Sequence, residues 1–329
     1  MGAKVAQLLA TLGMASVEQA RVLDYLQSSG FEPAGAEVRL QQLSRGVDRR
    51  FIDRSSACRL LSEQPQLLRL GFATVYEDER LVCVDKPHDV MLRLSGPEDG
   101  EPSVHAWLCA NHPSVVTAEG NTRICHNLDF ATSGVLVCAK HAAAAREVGH
   151  LFESRRARKL YAALVFGHPE WETREINARI AVTKKKFRQS ITKSKVGKES
   201  KTTAIVAARG KLLLAPYAER SATLVWLMPS TGRRHQLRLH MAHIGHPIVG
   251  DFTYANDMLA YRMFLHAAIL ELPLQSSQVA TGSDSTVRGV SPLAPQGWAE
   301  SFVPQEMVRS PQLWPDAASL LVPQLCERT

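Results

Sequence analysis

From about Phe72 onward the apolar positions fall into short runs. These are Leu81–Val84, Val135–Ala139, Leu160–Val165, Thr202–Ala207 and Ala222–Met228. Runs of this length, rich in β-branched residues, predict strands. Helical spacing covers Ala142–Arg155 and Leu237–His243. The strands do not alternate regularly with long helices, so a doubly wound parallel sheet is disfavoured. The pattern predicts an α+β domain with a mixed, mostly antiparallel sheet flanked by helices.

Residues 1–68 read differently, as short helices. Ser16 is placed to cap one, with Gln19 three residues on, then Val22, Leu23 and Leu26, and Gly30 as the stop. A second runs near Ala36 to Ser44 with Val38, Leu40 and Leu43, ending at Gly46. A third follows Asp48 through Phe51, Ile52, Leu60 and Leu61 toward Pro65. The expected organisation is a helical extension over 1–68, a main domain over 69–310, and a C-terminal tail over 311–329. The stretch 275–290, rich in Ser, Gly and Thr, reads as a loop insertion.

Composition narrows the classes. The chain has 329 residues, 45% hydrophobic and 22% charged, which suits folded units rather than disorder. No apolar run nears the ~18–20 residues that span a bilayer, so no membrane partner is expected. The formal charge of +7 and pI near 9.2 lean toward a polyanionic partner. The six cysteines are scattered without a C-x-x-C pair, which argues for a reducing compartment and against a cysteine zinc site. The N-terminus lacks the basic start of a secretory signal. Cytoplasm is the default compartment, with mitochondrial and nuclear placement left open.

Three stretches could hold chemistry. In Arg123–Gly134 (RICHNLDFATSG), Asp129 lies on a turn between strands. It either faces a cleft or caps its own backbone. In Gly232–Asp251 (GRRHQLRLHMAHIGHPIVGD), His240, His243 and His246 recur every third residue, and Asp251 follows. Gly245 and Pro247 break the helix near the third histidine, so a basic cleft is favoured over a metal site. Residues 179–201 carry nine Lys or Arg against Glu199 alone, a solvated face or a phosphate-contacting loop. There is no G-x-G-x-x-G, P-loop or G-x-S-x-G.

Taken together, these stretches resemble the RluA-type family of RNA pseudouridine synthases. His126–Gly134 (HNLDFATSG) resembles the family's H-R-L-D-x-x-T-S-G motif. Lys159–Leu164 (KLYAAL) is similar to K-x-Y-x-A-L. Gly232–Asp251 with Tyr254 is similar to G-R-x-H-Q-L-R-x-H…G-H-P-I-x-G-D-x-x-Y. Val75–Pro87 resembles the strand and Lys-Pro turn that open the domain, and Phe264–Ala268 with Pro295–Phe302 its closing strands. Two positions depart: Asn127 replaces the usual Arg, and His88-Asp89 replaces a small residue and Gly.

The resemblance implies an isomerase converting uridine to pseudouridine in structured RNA (tRNA, rRNA or mRNA), acting as a monomer without cofactor or metal. It implies Asp129, Tyr161 and Arg238 as the catalytic set, with Arg238 paired to Asp129. His126, Asn127, Thr132, Arg233, Arg234, Lys184, Lys185, Lys186 and Arg188 are expected at the RNA. Gly134, Gly232, Leu239, Gly250 and Asp251 are expected to be structural. Two other readings compete: a catalytically impaired RNA-binding relative, suggested by Asn127, and a metallohydrolase built on residues 235–246.

Overall fold

The structure, a computed structural model, describes residues 2–28, 71–93, 103–183, 188–213, 217, 219–257, 259–260, 262–274, 285–291 and 302–307, with Ala36, Leu40, Cys58, Leu61 and Ser62. Its centre is a mixed sheet. In chain order the strands are β1 (Ala73–Glu77), β2 (Leu81–Lys86), β3 (Ser133–Ala139), β4 (Arg158–Phe166), β5 (Thr173–Asn177), β6 (Arg179–Val182), β7 (Gln189–Thr192), β8 (Lys201–Leu212), β9 (Ser221–Pro229), β10 (Leu265–Leu274), β11 (Ser285–Val290) and β12 (Phe302–Met307). The spatial order is β1-β2-β3-β10-β4-β9-β8-β12, with β11 beside β10 and β5 beside β8. Only β3 and β10 pair in parallel among the described strands. The mixed, mostly antiparallel α+β architecture is as predicted.

The continuous apolar runs have a simple cause: the middle strands are covered on both faces. On β4, Leu160, Ala162, Leu164 and Phe166 point into one cluster with Trp226 and Phe264. Ala163 and Val165 point the other way, against Leu237 and Met241. Those two belong to helix α5 (Gln236–His243). The helices described in full before it are α1 (Gly2–Thr11), α2 (Ser16–Ser28), α3 (Val104–Asn111) and α4 (Ala142–Glu153). In α4, Ala144, Val148 and Leu151 form the apolar stripe and pack on Leu81, Val135 and Val137. A one-turn helix, α6 (Phe252–Ala255), follows α5.

Two expectations need correction. Residues 285–290 are strand β11, not loop, and pair with β10 from Ile269 to Leu274. Its Gly289 lets the backbone lie close to Val135 and Cys83. The basic stretch is not a loop throughout: β6 and β7 form a hairpin within it. Phe264–Ala268 runs into strand β10, which lies between β3 and β4.

The N-terminal helices have their own core of Val5, Leu9, Leu12, Met14, Val22, Leu26, Ala36, Leu40, Cys58 and Leu61. Ser16 is the first residue of α2 rather than its cap. The Glu18 carboxylate instead accepts from the Ala15 backbone N–H at 3.2 Å. The helices expected near 36–46 and 48–65 lie mostly outside the described residues, as do 295–301 and the tail.

Candidate active site

The turn that carries Asp129 is built from beneath. Leu128 is buried, and the Thr132 N–H donates to the Asp129 carbonyl at 3.1 Å. Lys86, fully buried at the end of β2, donates its ammonium to the carbonyls of Pro87, Val90 and Phe130 at 2.8, 2.9 and 3.0 Å. One cation thus ties the loop after β2 to the residue next to Asp129. Gly134 follows with φ 112°, and a β-carbon there would lie 2.1 Å from the Ala267 carbonyl oxygen. Glycine at this position permits the parallel contact of β3 with β10, which sets the depth of the turn. At the other departure from the family motif, Asp89 adopts φ 56°, a left-handed conformation that Asp tolerates better than most residues.

The opposite wall is α5. His235 precedes it in the left-handed region, with φ 57° and ψ 20°. Such backbone is strained for a non-glycine residue, by ~1 kcal/mol or more. Gln236 holds the entry: its carbonyl accepts from Arg233 N–H and the Thr231 hydroxyl, while its amide donates to the Lys201 carbonyl and Thr202 hydroxyl. Two residues on, Arg238 points into the cleft.

Arg238 serves two carboxylates unequally. Its Nε and Nη2 donate to the two oxygens of Asp251 at 2.8 and 2.7 Å. Its Nη1 reaches Asp129 Oδ2 at 3.4 Å. The Asp251 side chain is 1% exposed and that of Asp129 24%. Burial alone would lower the arginine's pKa. The bonds and charge of Asp251, with the charge of Asp129, outweigh it and raise the pKa. The expected pairing of Arg238 with Asp129 is therefore the weaker of two contacts. Asp251, expected to be structural, is the principal partner, and it also accepts from the N–H groups of Thr253 and Tyr254 to cap α6. Gly250 (φ 77°) sets this corner against the Arg262 carbonyl.

Two further residues reach the site. Tyr254 was read only as the end of a motif, and His235 only as part of a basic run. The Tyr254 hydroxyl accepts from the Gln189 N–H at 3.0 Å and lies 2.8 Å from His235 Nδ1. His235 Nε2 lies 3.9 Å from Asp129 Oδ1. Burial lowers the His235 pKa; Asp129 opposes this, while Arg238 and Arg234 reinforce it. A neutral imidazole that accepts the Tyr254 proton at Nδ1 holds its own proton at Nε2, toward Asp129. The Arg238 guanidinium lies 5.2 Å from the Tyr254 ring centre. Tyr161 lies on the β4 face turned toward α5. Its phenol is pushed well up, first by burial and then by the Asp129 charge. It is therefore a neutral ring and a hydrogen-bond donor in the resting protein.

The residues expected at the RNA divide. Asn127, Arg234 and Arg188 are exposed and Arg233 is half-buried. Arg188 also lies 5.6 Å from the Tyr254 ring. His126 and Thr132 face inwards instead. His126 accepts from the Val137 N–H at 3.2 Å and packs on Phe152, and burial drives its pKa down to about 3. Thr132 is buried in the turn. Lys184, Lys185 and Lys186 lie outside the described residues. Leu239 is buried. In the histidine run, His240 is bonded through both ring nitrogens to Thr202 Oγ and the Ala178 carbonyl, and His246 to the Phe166 carbonyl. The run thus supports the fold.

Comparison with known proteins identifies the family. Residues 80–243 match the family described as RNA pseudouridylate synthase. The chain is 32% identical over 201 residues to the dual-specificity RNA pseudouridine synthase RluA of Escherichia coli, covering 60% of this chain and 85% of that protein. The chain belongs to the RluA-type family of RNA pseudouridine synthases. This is a family of isomerases. A zebrafish (Danio rerio) protein, RNA pseudouridylate synthase domain-containing protein 1, is 40% identical over 165 residues, or 48% of this chain and 55% of the relative. The chain therefore spans about half the length of that relative. The solved human RNA pseudouridylate synthase domain containing 1 superposes with TM-score 0.59 at 30% identity, over 73% of this chain and 91% of that one. No helix among the described residues is long and apolar enough to cross a membrane.

Proposed function

We propose that the chain isomerises uridine to pseudouridine in structured RNA, with Asp129 as the reacting carboxylate. The observation that carries this reading is the convergence on Asp129 of Arg238 at 3.4 Å and His235 at 3.9 Å, beside the half-buried Tyr161. The reaction breaks the C1′–N1 bond, turns the base and joins C1′ to C5. C5 loses a proton and N1 gains one, so atoms and electrons balance without redox chemistry or a phosphoryl donor. An ionised carboxylate begins it, either by attack on C1′ or by removal of the 2′ proton.

Tyr161 offers its ring as a face for the uracil. Its phenol is a poor base while Asp129 is charged. The C5 proton leaves after C1′ has joined C5, when the Asp129–C1′ bond has broken and the carboxylate is free again to take that proton, directly or through the Tyr161 hydroxyl. Arg238 remains fixed by Asp251 throughout, so the guanidinium need not move as Asp129 reacts. The target base must leave its stack, at a typical cost of a few kcal/mol. Backbone contacts from Arg188, Arg233, Arg234, Lys184, Lys185 and Lys186 offset it.

We take 69–310 as the catalytic domain and 1–68 as a helical extension. The test is to incubate the purified protein with tRNA and rRNA and map pseudouridine. The wild type is expected to modify at least one RNA and Asp129→Ala none. Equal modification by both would remove Asp129 from the chemistry. Retained cellular function in Asp129→Ala would favour the RNA-binding relative.

A further inference from the structure

We infer that Lys159, reached past Gly232, is a binding position for a backbone phosphate of the RNA substrate. The inference rests on the RNA-modifying reading above and adds a contact to it.

Lys159 lies two residues before Tyr161 on β4, so both side chains leave the same face of the sheet. Its ammonium lies 5.8 Å from the Phe152 ring centre, close enough to His126 for its charge to lower that histidine's pKa, and beside Gly232. His126 opens the turn that carries Asp129, and Gly232 opens the loop into α5. The ammonium thus sits at the rim between the two walls of the site. Among the described residues no carboxylate or other acceptor is paired with it. Burial lowers its pKa from an ordinary 10.5 to about 8, with no anion to offset the loss of hydration. A half-buried cation without a partner is costly for the fold.

Gly232 supplies the second observation. Its backbone does not adopt a positive φ, and a β-carbon there would meet only the Lys159 ammonium, at an ordinary 3.8 Å. Neither conformation nor crowding requires glycine. What the missing side chain leaves open is the approach to Lys159. An RNA phosphate fits this position: it is anionic, and its own backbone must come close to the protein when the base is drawn in.

The experiment measures binding of a fluorescein-labelled, uridine-containing stem-loop RNA across a range of salt, alongside thermal unfolding. The proteins are wild type, Lys159→Gln, Lys159→Arg and Gly232→Glu. Losing one phosphate contact lowers the slope of log K against log salt by ~0.7–0.9. Lys159→Gln should lose that much slope while melting no lower than wild type, because it removes an unpaired cation. Lys159→Arg should keep the slope. Gly232→Glu should pair with the lysine, raise the melting temperature and weaken RNA binding. An unchanged slope in Lys159→Gln overturns the site, as does a slope lost together with a lower melting temperature, since that marks a lysine needed for packing. Should Lys159→Gln fail to fold, unweakened RNA binding by Gly232→Glu overturns it instead. Wild type that binds RNA without isomerising it sinks the reaction, yet leaves the phosphate contact measurable. Wild type that binds no RNA sinks both.

Discussion

Two carboxylates face one guanidinium from two regions, the α5–α6 corner and the turn before β3, and they are held in opposite ways. Asp251 makes two short bonds to Arg238, caps a helix and is 1% exposed. Asp129 makes a single, longer contact with Arg238, at 3.4 Å, and is 24% exposed. A carboxylate fully satisfied by its surroundings is stable and unreactive. One that keeps lone pairs free beside a fixed positive charge can stay ionised and still attack. The corner supplies rigidity, and on the proposed reading the turn supplies the group that reacts.

Separating the two roles gives the largest expected effect. Asp129→Ala should reduce pseudouridine formation by at least ~10³-fold, yet leave the melting temperature near wild type, because the turn is held by Lys86 and Thr132. Asp251→Ala should do the reverse first. It leaves a buried guanidinium without its partner, at a cost of ~3–5 kcal/mol, read as a large drop in denaturant midpoint. Activity falls as a consequence. If the two variants lose stability equally, the division of labour is wrong.

A smaller effect sharpens the same comparison. Tyr254→Phe removes the hydroxyl between Gln189 and His235 while keeping the ring beside Arg238. It should lower kcat by ~5–30-fold, as expected for a lost buried hydrogen bond of ~1–2 kcal/mol, with KM for RNA little changed. A rise in KM alone would place Tyr254 in substrate binding.

The acid limb of stability tests the buried side of the reactive turn. His126 has its pKa lowered from 6.5 to about 3, so in that window the unfolded chain binds the extra proton. Stability should therefore fall as pH drops below about 6.5. His126→Gln, which still accepts from Val137 N–H, should flatten this fall in pH-dependent denaturation. Asp85, pushed from 3.8 up to about 6 by burial, acts in the opposite sense: it favours the folded state as pH drops from about 6. The charges of Arg262 and Lys86 only partly offset burial. The smallest effect is expected at the exposed Arg188 and Arg234. Alanine at either should leave kcat and fold intact and reduce the salt slope of RNA binding by less than ~1.

The strands were legible because their burial on both faces leaves continuous apolar runs, as at Leu160–Val165 and Ala222–Met228. β11 was not, because Ser285 to Val290 gains its partners only from β10, and Gly289 answers to a neighbour distant in sequence. Asp129, Tyr161 and Arg238 were singled out by motif order, and the structure brings them together. The hierarchy of contacts was not legible, since nothing in the spacing of Arg238 and Asp251 tells which carboxylate the guanidinium grips.

Residue order alone determined which side chains this protein has for chemistry, where its strands run and that its charge suits an anionic partner. These follow from local periodicity and composition, which any stretch of chain carries within itself. Only the tertiary structure decided that His235 and Tyr254 stand behind Asp129, that His126 and Thr132 turn inwards, and that Lys159 has no anion paired with it among the described residues. Those are distances between residues far apart in the chain, and they exist only once the sheet has brought β3, β4 and α5 together.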